Sequence, residues 1–212
     1  MTFALIPAAG TSSRMGRPKL ALPLGDGTVL GHVVEALRQA ELEHILVVVG
    51  PHVPELVALA EAAGATALLL AEQTADMRAT IEQGLTWLET RFHPGDEESW
   101  LLAPADHPTL DASIVTALAA ARTHHAAATL LVPTYQGRRG HPLLLRWSHV
   151  PAIRALPSHE GLNVYVRGQT DNIREVELQT AEVLRDLDTP EDYARLVAEW
   201  PLKPISSRLT NF

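Results

Sequence analysis

The sequence predicts an α/β fold, a three-layer α/β/α sandwich around a mainly parallel sheet. Two observations support this. Short apolar and β-branched segments alternate with segments of helical periodicity, and residues 45–50 are apolar without interruption, as a strand buried on both faces requires. Strands and helices that alternate in this way form right-handed βαβ crossovers. We predict one domain over residues 1–200 of the 212, followed by a C-terminal tail over 201–212.

Each element is predicted from its local pattern. Thr28, Asp111 and Thr189 have side chains that cap helices, and Thr189 is followed by Pro190, which suits the first helical position. The helix that starts near residue 76 carries the apolar residues Met77, Ile81, Leu85 and Leu88. The predicted helices cover 28–40, 54–60, 76–90, 111–123, 150–156, 160–167 and 189–200. Predicted strands start at residues 3 and 100 and cover 45–50, 67–70 (buried), 129–134 and 173–178 (a half-exposed edge).

Composition narrows the class of protein. With 46% hydrophobic residues and a mean hydropathy of +0.03, the chain suits a globular protein. No run approaches the roughly 18 apolar residues of a membrane span, and we expect a cytoplasmic protein. The net charge of −8 argues against nucleic acid or an anionic membrane as partner. Zero cysteines exclude disulfides and thiolate chemistry, so a metal must be held by oxygen or imidazole.

The N-terminal loop is the first candidate site. A strand stops at small residues, and a loop containing Gly, Ser and Thr leads to Arg14 and Lys19. Gly10 lets the backbone turn so that successive N–H groups converge on an anion, and the two cations supply charge for a triphosphate. The competing interpretation is an ordinary connection with solvated basic residues. The predicted nucleotide-binding residues are Ala8, Ala9, Gly10, Ser12, Ser13, Arg14 and Lys19, of which Arg14 and Lys19 are also predicted to be catalytic.

Two acidic residues are candidates for a metal site near this loop. Asp106 follows an apolar strand, and ligands of open α/β sheets bind beyond the carboxyl ends of strands. Asp188 precedes the predicted cap Thr189. A triphosphate usually brings Mg²⁺, which prefers carboxylate, phosphate and water oxygens, and one or two Asp ligands would suffice. The alternatives are structural: Asp106 caps a turn, and Asp188 favours the helix dipole.

The pattern A-A-G-x-S-x-R-M-G-x-P-K differs from the Walker loop and from G-x-G-x-x-G. It resembles the signature of nucleotidyltransferases with the glycosyltransferase-A fold, and within them the molybdenum cofactor cytidylyltransferase family. Residues 104–108, 137–142 and 187–192 resemble the same family, so the likeness covers nearly the whole chain. The resemblance implies a Rossmann-like sheet of the nucleotide-diphospho-sugar transferase type.

The resemblance also implies roles for individual residues. Asp106 is the implied catalytic residue and principal Mg²⁺ ligand, and Asp188 is the implied second ligand. The implied reaction transfers CMP from CTP to the terminal phosphate of molybdopterin and releases pyrophosphate, with a molybdoenzyme or its chaperone as a further partner. The site of this anionic acceptor would be bordered by Arg138, Arg139, Gly140 and His141.

The sequence departs from the family pattern at two places. Ala105 and His107 flank Asp106, where the family more often has Gly and Gln. In the segment 71–80, charged residues replace small or neutral groups at Glu72, Asp76 and Arg78. The choice of base and acceptor therefore stays open. The alternatives are a guanylyltransferase, a sugar- or polyol-phosphate nucleotidyltransferase, and a non-catalytic nucleotide-binding protein that delivers cofactor; the two arginines of the acceptor loop could equally be a solvated hairpin tip.

Overall fold

The computed structural model describes residues 1–11 and 15–200, in which a central sheet lies between two layers of helices. The strands are β1 (Thr2–Ala8), β2 (Pro23–Leu24), β3 (Gly27–Thr28), β4 (His44–Val49), β5 (Thr66–Leu69), β6 (Ser99–Leu102), β7 (Leu130–Tyr135), β8 (Arg138–Arg139), β9 (Leu143–Arg146) and β10 (Ile173–Glu177). The helices are α1 (Val29–Gln39), α2 (Glu55–Ala62), α3 (Met77–Phe92), α4 (Ala112–His124), α5 (Val150–Arg154), α6 (Leu162–Gly168) and α7 (Pro190–Glu199). None of the helices described is long and apolar enough to cross a membrane.

The strand order of the main sheet is β10-β7-β9-β6-β1-β4-β5, and β8 pairs with β7. β1 lies parallel to both β4 and β6, so these three strands end at the same edge of the sheet. β9 runs antiparallel to β6 and β7 because only a short connection separates it from β7, and a parallel return would need a longer crossover. The sheet is thus mainly parallel, as the sequence predicts.

The two faces of the sheet bury separate cores. Along β1, Ala4 and Ile6 point to one face and Phe3 and Leu5 to the other, and all four are fully buried. The first face packs against α1, α2, α4 and α7, and the second against α3, α5 and α6. This alternation produces the predicted three-layer sandwich.

One sequence-based prediction needs correction. The strand at 67–70 is predicted to be buried, yet β5 is an edge strand and Leu69 is 49% exposed. Of the four apolar residues that the predicted helix carries, three are buried in α3, whereas Met77, at the first helical position, is 60% exposed. The predicted tail at 201–212 lies outside the described residues. The prediction at Thr189 is confirmed, since Thr189 and Asp192 form a capping box at the start of α7.

Candidate active site

The loop after β1 borders a cavity of about 270 Å³ at the carboxyl edge of the sheet. Of the predicted nucleotide-binding residues, Ala8, Gly10 and Lys19 line this cavity, whereas Ala9 is buried in the core beneath it. The predicted residues Ser12, Ser13 and Arg14 lie outside the described part of the chain. The cavity is lined by Pro7, Ala8, Gly10, Thr11, Met15, Lys19, Leu20, Met77, Pro104, Ala105, Asp106 and Asp188.

Lys19 joins the loop to both candidate metal ligands. Its Nζ donates to Asp106 Oδ2 at 2.6 Å and to Asp188 Oδ1 at 3.1 Å. It also donates to the backbone oxygen of Leu187 at 2.7 Å. The Lys19 side chain is only 15% exposed, so these charge-assisted bonds are partly shielded from water. Residues from the beginning, the middle and the end of the chain therefore meet at one point.

The fold explains why these groups meet. β6 lies parallel to β1, so the segment that follows β6 carries Asp106 to the edge where the loop begins. The Leu187 N–H donates to the backbone oxygen of Asp106 at 2.9 Å, which places the next residue, Asp188, beside it. The capping box then fixes the start of α7, with the Thr189 N–H donating to Asp192 Oδ2 at 2.9 Å. Because Thr189 and Asp192 cap the helix, the Asp188 carboxylate is directed to Lys19 instead of serving as the cap.

The oxygen atoms around Lys19 suit a hard divalent cation. Two carboxylates and a backbone carbonyl converge on a single ammonium, and such oxygen donors are those that Mg²⁺ and Mn²⁺ prefer. Within residues 1–11 and 15–200, no three His, Asp or Glu side chains cluster as a complete metal site. In general, Mg²⁺ is bound by one or two carboxylates together with substrate phosphates and water.

A contact between the buried His107, which follows Asp106, and the half-buried His141 was not predicted from the sequence. His107 is 6% exposed, and its ring meets that of His141 edge-on, with the centroids 5.5 Å apart. The pKa of His141 is lowered to about 4, mainly by burial and also by the nearby His107, while Asp106 opposes the shift. Burial also lowers the pKa of His107. Both rings are therefore neutral near pH 7. The sequence alone does not predict the contact between positions 107 and 141, because the two residues meet only in the folded structure.

We expect the half-buried His141 to make the protein less stable in acid. The pKa of His141 falls from 6.5 to about 4 on folding, so between these pH values the unfolded chain binds a proton that the folded protein does not. The free energy of unfolding is therefore unaffected by this group above pH 6.5 and decreases as the pH drops from 6.5 toward 4. When the pH is lowered from about 7.5 to about 5, the unfolding free energy of the protein should decrease. This decrease should be about 2 kcal/mol larger than the decrease in the His141→Gln variant. Urea unfolding at the two pH values measures this. His159→Gln, at a side chain that is 81% exposed, should leave the loss unchanged, and equal losses in the protein and in His141→Gln would contradict the assignment.

The residues of the predicted acceptor loop are not among those that line the cavity, and the loop approaches Asp106 only through the contact of His141 with His107. Arg138 and Arg139 form the exposed strand β8, and Arg139 Nε donates to Glu175 Oε1 at 2.7 Å. Gly140 lies so close to the backbone of Val183 that a Cβ atom would collide with the carbonyl oxygen there. The next residue, His141, is tied to the same carbonyl through its N–H at 2.8 Å and carries its ring to His107.

Two of the charged residues of the segment 71–80, Asp76 and Arg78, have structural contacts. Asp76 caps α3 by accepting from the Ala79 N–H at 2.8 Å. Arg78 donates to the backbone oxygens of Leu156 and Pro157 at 3.0 and 2.9 Å, which attaches the start of α3 to the α5–α6 connection. Between them, Met77 borders the cavity. The apolar pattern of α3 does not predict that Met77 lines the cavity, because the pattern does not distinguish Met77 from the buried apolar residues of the same helix.

Comparisons with known proteins identify the class. Residues 4–175 match the family model of the MobA-like NTP transferase domain. Together with the α/β fold and the carboxylates that face the loop, this match defines the protein as a nucleotidyltransferase. The chain belongs to the family of MobA-like NTP transferase domains, which confirms the resemblance noted in the sequence.

Three relatives illustrate the similarity. The molybdenum cofactor cytidylyltransferase of Escherichia coli (strain K12) is 27% identical over 190 residues, covering 89% of this chain and 92% of the relative. The 2-C-methyl-D-erythritol 4-phosphate cytidylyltransferase of Ralstonia nicotianae (strain ATCC BAA-1114 / GMI1000) is 36% identical over 126 residues, or 56% of this chain and 49% of that protein. The crystal structure of the Mycobacterium tuberculosis rv0371c homolog from Mycobacterium sp. strain JC1 superposes with a TM-score of 0.77 at 28% identity, over 95% of this chain and 97% of the other.

Proposed function

We propose that this nucleotidyltransferase uses Mg²⁺ to transfer CMP from CTP to the terminal phosphate of molybdopterin, with release of pyrophosphate. The observation that carries the proposal is the meeting of Lys19 with Asp106 and Asp188 at the cavity beside the N-terminal loop. Support for the substrates comes from the Escherichia coli relative, a molybdenum cofactor cytidylyltransferase whose similarity extends over 89% of this chain.

In the proposed reaction, the backbone around Gly10 and the cations Arg14 and Lys19 bind the triphosphate. The other proposed nucleotide contacts are Ala8, Ala9, Ser12 and Ser13 of the same loop. A phosphate oxygen of the acceptor attacks the α-phosphorus of CTP, the bond to the β-phosphate oxygen breaks, and pyrophosphate leaves. Fixed cations stabilise the negative charge that develops on the transferred and leaving oxygens.

We assign the metal to Asp106 as principal ligand and to Asp188 as second ligand. When bound there, the cation neutralises phosphate charge and aligns the α-phosphorus for attack. The carboxylates are already held on one side of the cavity, because Asp106 follows β6 and Asp188 is fixed by the capped start of α7. The backbone that carries both carboxylates is therefore already in place, and the Lys19 side chain is the group that lies between them.

We place the acceptor against the loop of Arg138, Arg139, Gly140 and His141. The two arginines are exposed and carry the positive charge that a phosphorylated pterin requires, although Arg139 already pairs with Glu175. His141 extends the same loop to His107, directly beside Asp106. A molybdoenzyme or its chaperone would then receive the product.

Pyrophosphate release tests the proposal. The protein is incubated with Mg²⁺, either CTP or GTP, and molybdopterin, and we expect CTP to react at least about tenfold faster than GTP. CTP without acceptor is the control and should release little pyrophosphate. Faster release of pyrophosphate from GTP than from CTP would contradict the proposed cytidylyltransferase activity and indicate a guanylyltransferase.

A second candidate function is cytidylyl transfer to a polyol phosphate. It is favoured by the 36% identity to the Ralstonia nicotianae 2-C-methyl-D-erythritol 4-phosphate cytidylyltransferase over 126 residues. The chemistry at the α-phosphorus is the same, so only the acceptor distinguishes the two. Adding 2-C-methyl-D-erythritol 4-phosphate in place of molybdopterin to the same assay decides between them.

A further inference from the structure

Lys19 is surrounded by acceptors in the way a bound cation would be. Among residues 1–11 and 15–200, its ammonium donates to oxygen atoms of Asp106, Leu187 and Asp188 at 2.6, 2.7 and 3.1 Å. Two of these oxygens belong to the carboxylates of Asp106 and Asp188. The third is the backbone oxygen of Leu187, the residue whose N–H is bound to the backbone of Asp106.

This arrangement conflicts with simultaneous metal binding to the same carboxylates. A Mg²⁺ or Mn²⁺ ion takes carboxylate oxygens at roughly 2.1 Å, so it would lie within about 5 Å of the ammonium and use the same lone pairs. The two cations repel each other in a site that is partly shielded from water, since the Asp106 and Asp188 side chains are only 25% and 33% exposed. Either cation can neutralise the pair of acids, but they compete to do so.

Lys19 is also able to leave. It is the first residue of a three-residue 3₁₀ turn, Lys19–Ala21, and its charge lies at the end of a flexible four-carbon side chain. Gly10 and Thr11 of the loop line the same cavity, so an anion held there would offer the ammonium alternative acceptors close by.

We propose that Lys19 is a displaceable counter-ion: in the nucleotide-free protein it holds the position between Asp106 and Asp188, and it moves to the phosphates when metal and nucleotide bind together. This rests on the proposed function. Metal binding is then made dependent on nucleotide, because the free protein already satisfies its acids internally. Lys19 has two successive partners, and its role goes beyond phosphate binding.

Binding of Mn²⁺ alone, in the absence of nucleotide, tests this directly. Free Mn²⁺ is measured by electron paramagnetic resonance during titration of the protein, of Lys19→Met and of Lys19→Arg. We expect Lys19→Met, which keeps the aliphatic chain and loses the charge, to bind Mn²⁺ about tenfold more tightly. Lys19→Arg keeps the charge and should bind as weakly as the unaltered protein. Circular dichroism verifies folding, and Lys19→Gln serves as the neutral variant if Lys19→Met does not fold.

A double variant, Lys19→Met with Asp106→Asn, establishes where the ion binds. We expect it to lose the gain in affinity. The proposal is overturned if the neutral variant binds Mn²⁺ no more tightly than the unaltered protein, or if the gain survives in the double variant. The proposed function fails separately: if the protein releases no pyrophosphate from CTP while its Lys19→Met variant still gains Mn²⁺ affinity, the competition between Lys19 and the metal stands and the proposed reaction is removed.

Discussion

Replacing Asp106 by Asn will slow nucleotidyl transfer by about 10²- to 10³-fold and leave the fold intact. Asn has the same size and can still accept a hydrogen bond, so Lys19 keeps a partner at this position and also keeps Asp188. The lost negative charge, however, removes the principal ligand that we assign to the divalent cation. Steady-state pyrophosphate release, with thermal unfolding measured in parallel, tests both parts of the expectation.

An exposed acid far from the cavity provides the control for this substitution. Asp171 precedes β10, and Asp171→Asn should change neither activity nor unfolding. If Asp106→Asn turns over at the unaltered rate, the metal-ligand assignment is wrong, and Asp106 is instead an anchor for Lys19. A protein that only binds nucleotide would show no turnover before or after the change.

Replacing Lys19 by Ala will lower turnover by about 10²-fold, because it removes the cation that we propose stabilises the negative charge developing on the phosphates. Stability should fall much less. The ammonium lies between two carboxylates whose side chains are 25% and 33% exposed. In Lys19→Ala, water screens part of the repulsion between these carboxylates, so we expect the free energy of unfolding to fall by about 1 kcal/mol. Urea unfolding and steady-state kinetics on the same preparation separate the two effects.

The matched control is a cation elsewhere on the surface. Arg91 is exposed and lies over the Trp87 ring, 5.6 Å from its centroid, so Arg91→Ala removes a charge outside the cavity and should preserve turnover. An equally large loss of stability and turnover in Lys19→Ala would indicate a structural ion pair. Activity that falls while the affinity for Mn²⁺ rises would show that one side chain opposes metal binding and promotes transfer.

Local pattern was enough to predict most of the fold. The 45–50 strand, the caps at Thr28, Asp111 and Thr189, and the alternation of strands with helices all correspond to observed elements. The burial of 67–70 was wrong because the sequence of an apolar strand does not reveal whether a neighbour covers its second side. The antiparallel direction of β9 likewise depends on its position between β6 and β7.

The candidate site was predictable to the extent that it lies at strand ends. The sequence alone indicates Lys19, Asp106 and Asp188 as site residues, and the parallel pairing of β1 with β6 brings the first two together. The contact of His107 with His141 could not be predicted, because two histidines separated along the chain carry no periodic signal. The hydrogen bonds of Lys19 to both Asp106 and Asp188 could not be predicted from the sequence either, because they depend on the folded structure.

The hydrogen bond from Lys19 to the backbone oxygen of Leu187, 168 positions later, also affects when the site can form during synthesis of the chain. A nascent chain displays β1, its loop and Asp106 well before α7 has been synthesised. Much of the sheet is thus available for folding on the ribosome, while the reaction centre must wait for the last contacts to close. Interrupted translation products that stop before residue 187 are expected to be catalytically silent, so unfinished copies would not consume the cell's nucleotide.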